Sequence, residues 1–358
     1  MKTRIVGIDV ARALAVIGMI IVNFKVVFGT EGSPWLKTLA SIFDGKAAAT
    51  FVVLAGLGIA LLTKKARESK DTLKLALARK RILKRAFFLF VLGISYYLIW
   101  PADILHFYGL YLLLVLLFLK QRGKVIMGAA LALIIAFPIL LSFIDYEQGW
   151  DFSTLNYLDF WTLEGFARNL FVNGFHPVIP WAAFILVGYW FGQQDLQNPA
   201  YLKRMLLGSG LLFFGLQLFS VFSIRILADG DSSATEGLSQ ILGTSPMPPL
   251  PIYMFSGMAI ALLVISACIL WGYKQSDSKL ILALNRTGQL ALTFYVAHVI
   301  IGMGLVELFL PEQIGQLSID FSFSYALIFS VLCVIFAWFW RQHFSMGPLE
   351  ALMRKLTN

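Results

Sequence analysis

The sequence is short of charge, cysteine and histidine, and each shortage removes a class of protein. Charged residues make up 14% of the 358 and hydrophobic ones 59%, whereas soluble domains run at about 25% charged and 45–50% apolar. A chain this poor in charge cannot clothe a water-facing surface, which excludes a soluble globular enzyme. The two cysteines, Cys268 and Cys333, both lie inside apolar runs, so neither a disulfide framework nor a thiolate metal site is supported. Four histidines scattered over separate elements, without paired ligands at helical spacing, give no recognisable metal site, and no metal is expected. Nucleophile-elbow, P-loop, H-E-x-x-H and dinucleotide fingerprints are missing from any suitable context.

What the chain does have is apolar length. Its pattern predicts an all-α, polytopic transmembrane helical bundle of about ten spans, a single integral-membrane domain over residues 1–358. The spans fall near 6–27, 42–63, 82–100, 104–120, 125–144, 178–194, 204–227, 251–272, 288–310 and 323–341. An even number puts both termini on one side. Placing that side in the cytoplasm leaves only Lys25, Lys37, Lys46, Arg168 and Arg225, of 29 basic residues, outside or at the outer boundary. The formal net charge of +9 then resolves into a basic inner face and an acidic outer one, so a nucleic-acid partner loses its support. The basic loop Lys64–Arg85 has no aromatic residue to stack a base. It is expected to set topology and face lipid headgroups, with an anionic cytosolic substrate as the alternative. The first apolar run has a signal-peptide shape, but Asp9 and Arg12 interrupt it, and an uncleaved helix is expected. Of the outer loops, the aromatic Asp145–His176 is expected to lie at the interface as short helices, and the Gly-, Ser- and Pro-rich Ala228–Leu250 to be a lid or plain loop.

Polar groups inside hydrocarbon are costly, so function is sought among them. Asp9 and Arg12 stand three apart on one helical face, either as an ion pair that starts the helix or with Arg12 holding an anionic group such as a phosphate. Asp44-Gly-Lys46 opens the second span as an ion pair or outer cap, with Lys46 a candidate for the donor site. Asp103 and His106 are one turn apart at the start of the fourth span; the carboxylate can orient the ring and raise its basicity, as a general base requires, or the pair is structural. His298, with Tyr295 one turn before it, falls in mid-span, as a helix-to-helix hydrogen bond or as a proton-handling group. His176 reads as a solvated loop residue and His343 as interfacial.

Several stretches carry a resemblance. The opening Arg4-Ile-Val-Gly-Ile-Asp9-Val-Ala-Arg12, continuing to Asn23, resembles the first helix of YeiB-like membrane proteins and of the heparan-alpha-glucosaminide N-acetyltransferase family. Phe43-Asp-Gly-Lys46 to Gly58, Asp103-Ile-Leu-His-Phe-Tyr108, Gly288-Gln-Leu-Ala-Leu-Thr-Phe-Tyr295 and Gly347-Pro-Leu-Glu-Ala-Leu-Met-Arg354 also look YeiB-like. The resemblance runs through essentially the whole chain. It implies a membrane acyltransferase that passes an acetyl or other acyl group from cytosolic acyl-CoA to a sugar, lipid-linked or other small hydroxyl or amine acceptor at or beyond the outer face. It also implies a bacterial cytoplasmic (inner) membrane location, with lipid and acyl-CoA as partners and a homodimer among the assemblies left open.

By that resemblance Asn23 matches an asparagine associated with catalysis in the lysosomal family, and Tyr295-Val-Ala-His298 is similar to a late-helix stretch there. In distantly similar sugar O-acetyltransferases an arginine is followed, after ten residues, by a histidine; the same count from Arg12 lands on Asn23. Two departures stand out. The first outward loop, Lys25 to Trp35, lacks the histidine that the lysosomal enzymes carry there, and Gln289 stands where YeiB-like proteins usually have arginine. The expected catalytic group is therefore Asn23 as amide donor to a developing oxyanion, His298 or His106 as base, and Asp103 as orienter of His106. Arg12, Asp9, Lys46 and Tyr295 are the candidates for the donor site. The same polar path would also suit a transporter or lipid-handling protein without acyl transfer, or a membrane sensor.

Overall fold

The computed structural model describes residues 4–69, 71–152, 154–275 and 278–357; Lys2, Lys70 and Asp277, used above in placing charge, lie outside them. Helix dominates. The elements are α1 (Val6–Phe28), α2 (Pro34–Ser41), α3 (Lys46–Glu68), α4 (Thr72–Ser95), α5 (Leu105–Phe118), α6 (Gly123–Leu141), a two-strand pair β1 (Trp150–Asp151) and β2 (Asn156–Tyr157), α7 (Leu163–Arg168), α8 (Val178–Phe191) and α9 (Pro199–Ala228). They continue as α10 (Ser232–Leu242), α11 (Pro251–Lys274), α12 (Lys279–Gly288), α13 (Ala291–Ala297), α14 (Gly304–Phe309), α15 (Ile319–His343) and α16 (Pro348–Thr357). Two π-helical segments, Asn169–Asn173 and His298–Met303, interrupt the regular helix.

The protein is an all-α, multi-pass membrane protein. Seven helical stretches are long and apolar enough to cross a bilayer, and eight if the bent pair Leu163–Asn173 plus Val178–Phe191 counts as one. The other two expected spans coincide with α4, whose first half carries Lys74, Arg79, Lys80 and Arg81, and with the 14-residue α5. The run Lys64–Arg85, expected as a loop, is helical up to Glu68 and again from Thr72, where the Asp71 carboxylate caps α4 by accepting from Leu73 N and Lys74 N. Ala228–Leu250 likewise contains a helix, α10, capped by Asp231 and ended before Gly243; the turn at Asp229–Gly230 and the Pro-rich end stay irregular. In Asp145–His176 the short helix α7 is joined by the β1/β2 pair, in which Trp150 faces Tyr157. Outward faces of α6 and α9 show bare Leu, Ile and Phe, such as Leu131, Ile135, Leu211 and Phe214, which suits lipid contact.

The chain divides into two compact units, each assembled from separated stretches. Unit 1 comprises residues 1–51, 196–207 and 261–355, and unit 2 residues 52–195, 208–260 and 356–358. In unit 1, α1 packs on α12, α13 and α15. The approach of α12 is set by Gly288, where any Cβ would collide with the Asp9 backbone carbonyl of α1. In unit 2, α4 packs on α5, and α8 on α5 and α6. Gly93 of α4 plays the corresponding part there, since a Cβ would run into the Asp103 carboxylate and the His106 backbone.

Both glycines therefore act on the polar residues they touch. Replacing Gly288 or Gly93 by valine overpacks a backbone contact and is expected to cost about 1–3 kcal/mol. Thermal unfolding in detergent should show this, with Gly128→Val, which meets no atom within 4 Å, as the neutral control.

Candidate functional site

Polar residues gather at three places along α1 and its neighbours in unit 1. At the start of α1, Asp9 is 1% exposed and its carboxylate accepts from Arg4 Nε at 2.6 Å and Arg12 Nη1 at 2.5 Å. A carboxylate so buried needs both partners, because its desolvation is not recovered by one exposed cation. The ion-pair reading of Asp9 and Arg12 is thus realised, while the rest of the Arg12 guanidinium, 28% exposed, stays accessible. Arg341 lies within electrostatic range of Arg4, Arg286 and Asp9. Its Nε donates to Gln289 Oε1 at 2.8 Å, which brings an arginine up against the glutamine.

Further along α1, Asn23 Nδ2 sits 2.9 Å from His298 Nε2, the two residues being 275 apart in sequence. His298 is fully buried and begins the π-helical segment. Phe24 at 6.1 Å and Tyr295 at 5.2 Å between ring centroids flank the imidazole, and Tyr295 stacks on Phe51. An amide has a donor and an acceptor at the same end, so Asn23 can meet His298 in either protonation state by a half-turn of its side chain.

Near the end of α1, Lys25 Nζ contacts both oxygens of Asp44, at 2.6 and 2.7 Å, and Ser41 Oγ at 3.2 Å. The ion pair expected at Asp44-Gly-Lys46 is therefore made by Lys25, and Lys46 opens α3 beside it. This end lies about 20 Å from Arg12 along the helix axis, so Lys46 and Arg12 do not share one subsite.

In unit 2, Asp103 and His106 are both wholly buried. Asp103 Oδ2 accepts from the His106 backbone N–H at 3.1 Å and lies 2.9 Å from His106 Nδ1, while the Tyr96 hydroxyl donates to Oδ1. The carboxylate both caps the first turn of α5 and fixes the ring. Burial alone would raise the Asp103 carboxyl, but the His106 and Tyr96 contacts outweigh it and hold it below the ordinary carboxylate range. His106 Nε2 is buried with no hydrogen-bond partner among the described residues.

Two further residues escaped the sequence reading. His176 is not a solvated loop residue: its ring packs against Trp181 at 4.6 Å, its carbonyl accepts from Tyr111 Oη at 2.5 Å, and its Nδ1 is buried without a partner among the described residues. The bend between the π-helical segment Asn169–Asn173 and α8 turns the loop inward. Glu350 of α16 accepts from Leu292 N at 2.8 Å, Thr293 N at 3.1 Å and Thr293 Oγ1 at 2.6 Å. It thereby anchors the start of α13, which carries Tyr295 and runs into His298. The only sequence signal was its place in the Gly347-Pro-Leu-Glu350 ending, which gave no hint of its partner. Burial pushes the Glu350 carboxyl above its ordinary range even against those donors.

The class is thus defined: a multi-pass membrane protein whose apolar helices hold amide–imidazole and carboxylate–imidazole pairs, groups suited to proton handling in a dry setting. The family model described as heparan-alpha-glucosaminide N-acetyltransferase, catalytic, matches residues 4–217, more than half of the chain, and the protein belongs to that family. The model described as protein of unknown function (DUF418), the YeiB-like family, matches residues 189–358. No curated protein matches the chain. The resemblance read from the opening helix and the later stretches is borne out.

Two outcomes follow from the geometry. Arg12→Ala strands part of the Asp9 charge and should destabilise the protein by about 2 kcal/mol. The double variant Asp9→Asn/Arg12→Ala should lose less than the sum of the singles, a coupling that chaotrope unfolding in detergent would reveal. Because the Glu350 carboxyl is raised in the folded chain, its contribution to stability is full below the ordinary carboxylate range and fades as pH rises through the raised value. The stability difference between the wild type and Glu350→Gln should therefore shift in the wild type's disfavour across that window; a pH-independent difference would exclude the titration.

Proposed function

We propose that this protein is an acyl-CoA-dependent acyltransferase of the cytoplasmic membrane of a bacterium, with both termini cytoplasmic and the whole chain acting as one membrane domain. It would move an acetyl or related acyl group to a hydroxyl or amine acceptor at or beyond the outer face. The observation that carries the reading is the 2.9 Å contact of Asn23 with His298, in a chain that belongs to an N-acetyltransferase family. His298 removes the proton from the acceptor oxygen or nitrogen as that atom attacks the thioester carbonyl, and returns it to the thiolate when the carbon–sulfur bond breaks. Asn23 offers an N–H to the carbonyl oxygen as negative charge gathers there. Arg12, with Arg4 and Asp9 around it, favours the phosphates of the donor. Lys46 and Tyr295 belong nearer the acyl end, where Tyr295 forms a wall of the imidazole's surroundings. Asp103 and His106 are a second prearranged base, with Asp103 holding the ring and His106 Nε2 as the accepting atom.

Acetyl-CoA binding by calorimetry, followed by release of CoA thiol across a panel of sugar and amine acceptors, tests the reading. Asn23→Ala and His298→Ala are each expected to lower turnover by about 10²–10⁴-fold while binding of acetyl-CoA persists. His106→Ala separates the two bases: an equal loss there, with His298→Ala unaffected, would move the chemistry to the Asp103 pair. A folded protein that neither binds acetyl-CoA nor releases thiol would overturn the proposal in favour of transport or lipid handling.

A further inference from the structure

The basic run that begins at Lys64 is not used by the transfer chemistry, yet one part of it is built into a concave site. A cavity of about 360 Å³ in unit 2 is lined by Ala66, Arg67, Asp71, Leu75, Leu119 and Lys120, together with Thr72 and Gln121. That volume falls in the range of small-ligand sites, about 300–1,000 Å³. Arg67 sits in the last turn of α3, Thr72 in the first turn of α4, and Lys120 just beyond the end of α5.

The charges around the cavity are unequal. Its one carboxylate, Asp71, is already engaged with Leu73 N, Lys74 N and, at 3.3 Å, Lys74 Nζ. Arg67 and Lys120 make no ion pair among the described residues. Arg67 is also held in place before any ligand arrives. Its Nη2 donates to the Ala60 carbonyl at 2.9 Å, its Nε to Thr63 Oγ1 at 3.3 Å, and its guanidinium lies 5.5 Å from the centroid of the Tyr189 ring. The remaining N–H groups of a fixed guanidinium form a planar fork suited to phosphate oxygens, and little side-chain entropy is lost on binding. Ala66, Leu75 and Leu119, all buried, give the lining its apolar part. A bare inorganic ion would leave those residues unused, whereas a phosphate with carbon attached meets both kinds of lining.

We propose that this cavity binds the phosphate group of an organic phosphate, with Arg67 and Lys120 as its cations and Leu75 and Leu119 against the attached carbon. The phosphate is either that of an anionic lipid headgroup or a soluble phosphate ester. The proposal stands apart from the acyl-transfer reading, since none of its residues takes part there. Two probes distinguish the sources on the full chain in detergent: phosphatidylglycerol against phosphatidylcholine by native mass spectrometry, and glycerol 3-phosphate by calorimetry. Each is repeated with Arg67→Gln and Lys120→Glu. Lys120 is exposed, so its variant should melt like the wild type and still lose about tenfold in affinity for the favoured probe. Arg67→Gln should lose at least as much. Selective retention of phosphatidylglycerol identifies the lipid headgroup, and saturable binding of glycerol 3-phosphate that the two variants weaken identifies the soluble ester. Binding of neither probe, or binding that both substitutions leave unchanged, overturns the proposal.

Discussion

The Asp9 carboxylate is the most demanding group in the chain, and much of unit 1 follows from satisfying it. An ionised carboxylate removed from water loses several kcal/mol of hydration that only close, well-aligned cations recover. Arg4 and Arg12 supply them from the same stretch of chain, before and one turn after the acid. With its charge met locally, the start of α1 can lie against another helix, and Gly288 lets α12 come down onto the Asp9 carbonyl itself. That contact fixes the register of α1 against the following α13, and so decides which α1 side chain faces His298. A shift of one residue along α1 would carry Asn23 about 100° round the helix and away from the ring.

The two π-helical segments point to the same economy. A π turn admits one extra residue into a helix, turns every later side chain and weakens the local hydrogen bonds, so it persists only where surrounding contacts compensate. One begins at His298, where Asn23, Phe24 and Tyr295 crowd the ring. The other ends at Asn173, whose side chain spans the Tyr146 and Gln148 carbonyls and the Tyr157 hydroxyl, with the Trp150 indole on its backbone oxygen. One segment opens on a histidine, His298, and the other ends three residues before His176. Glu350 completes the first arrangement from outside, as a carboxylate on the opening N–H groups of α13, where the helix dipole also favours negative charge.

The sequence made the fold class legible because hydrocarbon imposes so simple a rule: long apolar runs must be helices, and charge must stay at their ends or be paired. The Asp9–Arg12 pair and the Asp103–His106 pair were readable for a related reason, since each is made three residues apart on one helical turn. Asn23 with His298, Lys25 with Asp44, and Glu350 with Thr293 could not be read that way. Their partners are brought together by helix packing, and local periodicity holds no record of it. Boundaries shifted where capping chemistry outweighed composition, as at Asp71 and Asp231. His176 was misjudged because a histidine before proline usually marks an exposed loop, whereas here the bend into α8 carries it against Trp181.

Within unit 1 the chemistry is ordered along one helix. The guanidinium of Arg12 and the amide of Asn23 are eleven residues apart on α1, about 16 Å along its axis, with apolar residues from Ala13 to Val22 between them. An elongated acyl thioester has the complementary order, with phosphates at one end, a reactive carbonyl at the other and a less polar arm between. A transported solute would have no need for the two ends to differ in kind, nor for an amide set against an imidazole in the drier one. On the proposed reading the burial of His298 has a use, since a base kept from water would abstract a proton only from a group that has displaced solvent, and a thioester would be protected from hydrolysis. The separation of cations from the amide–imidazole pair along α1 is therefore the feature on which the proposed acyl-transfer reading differs from a transport one.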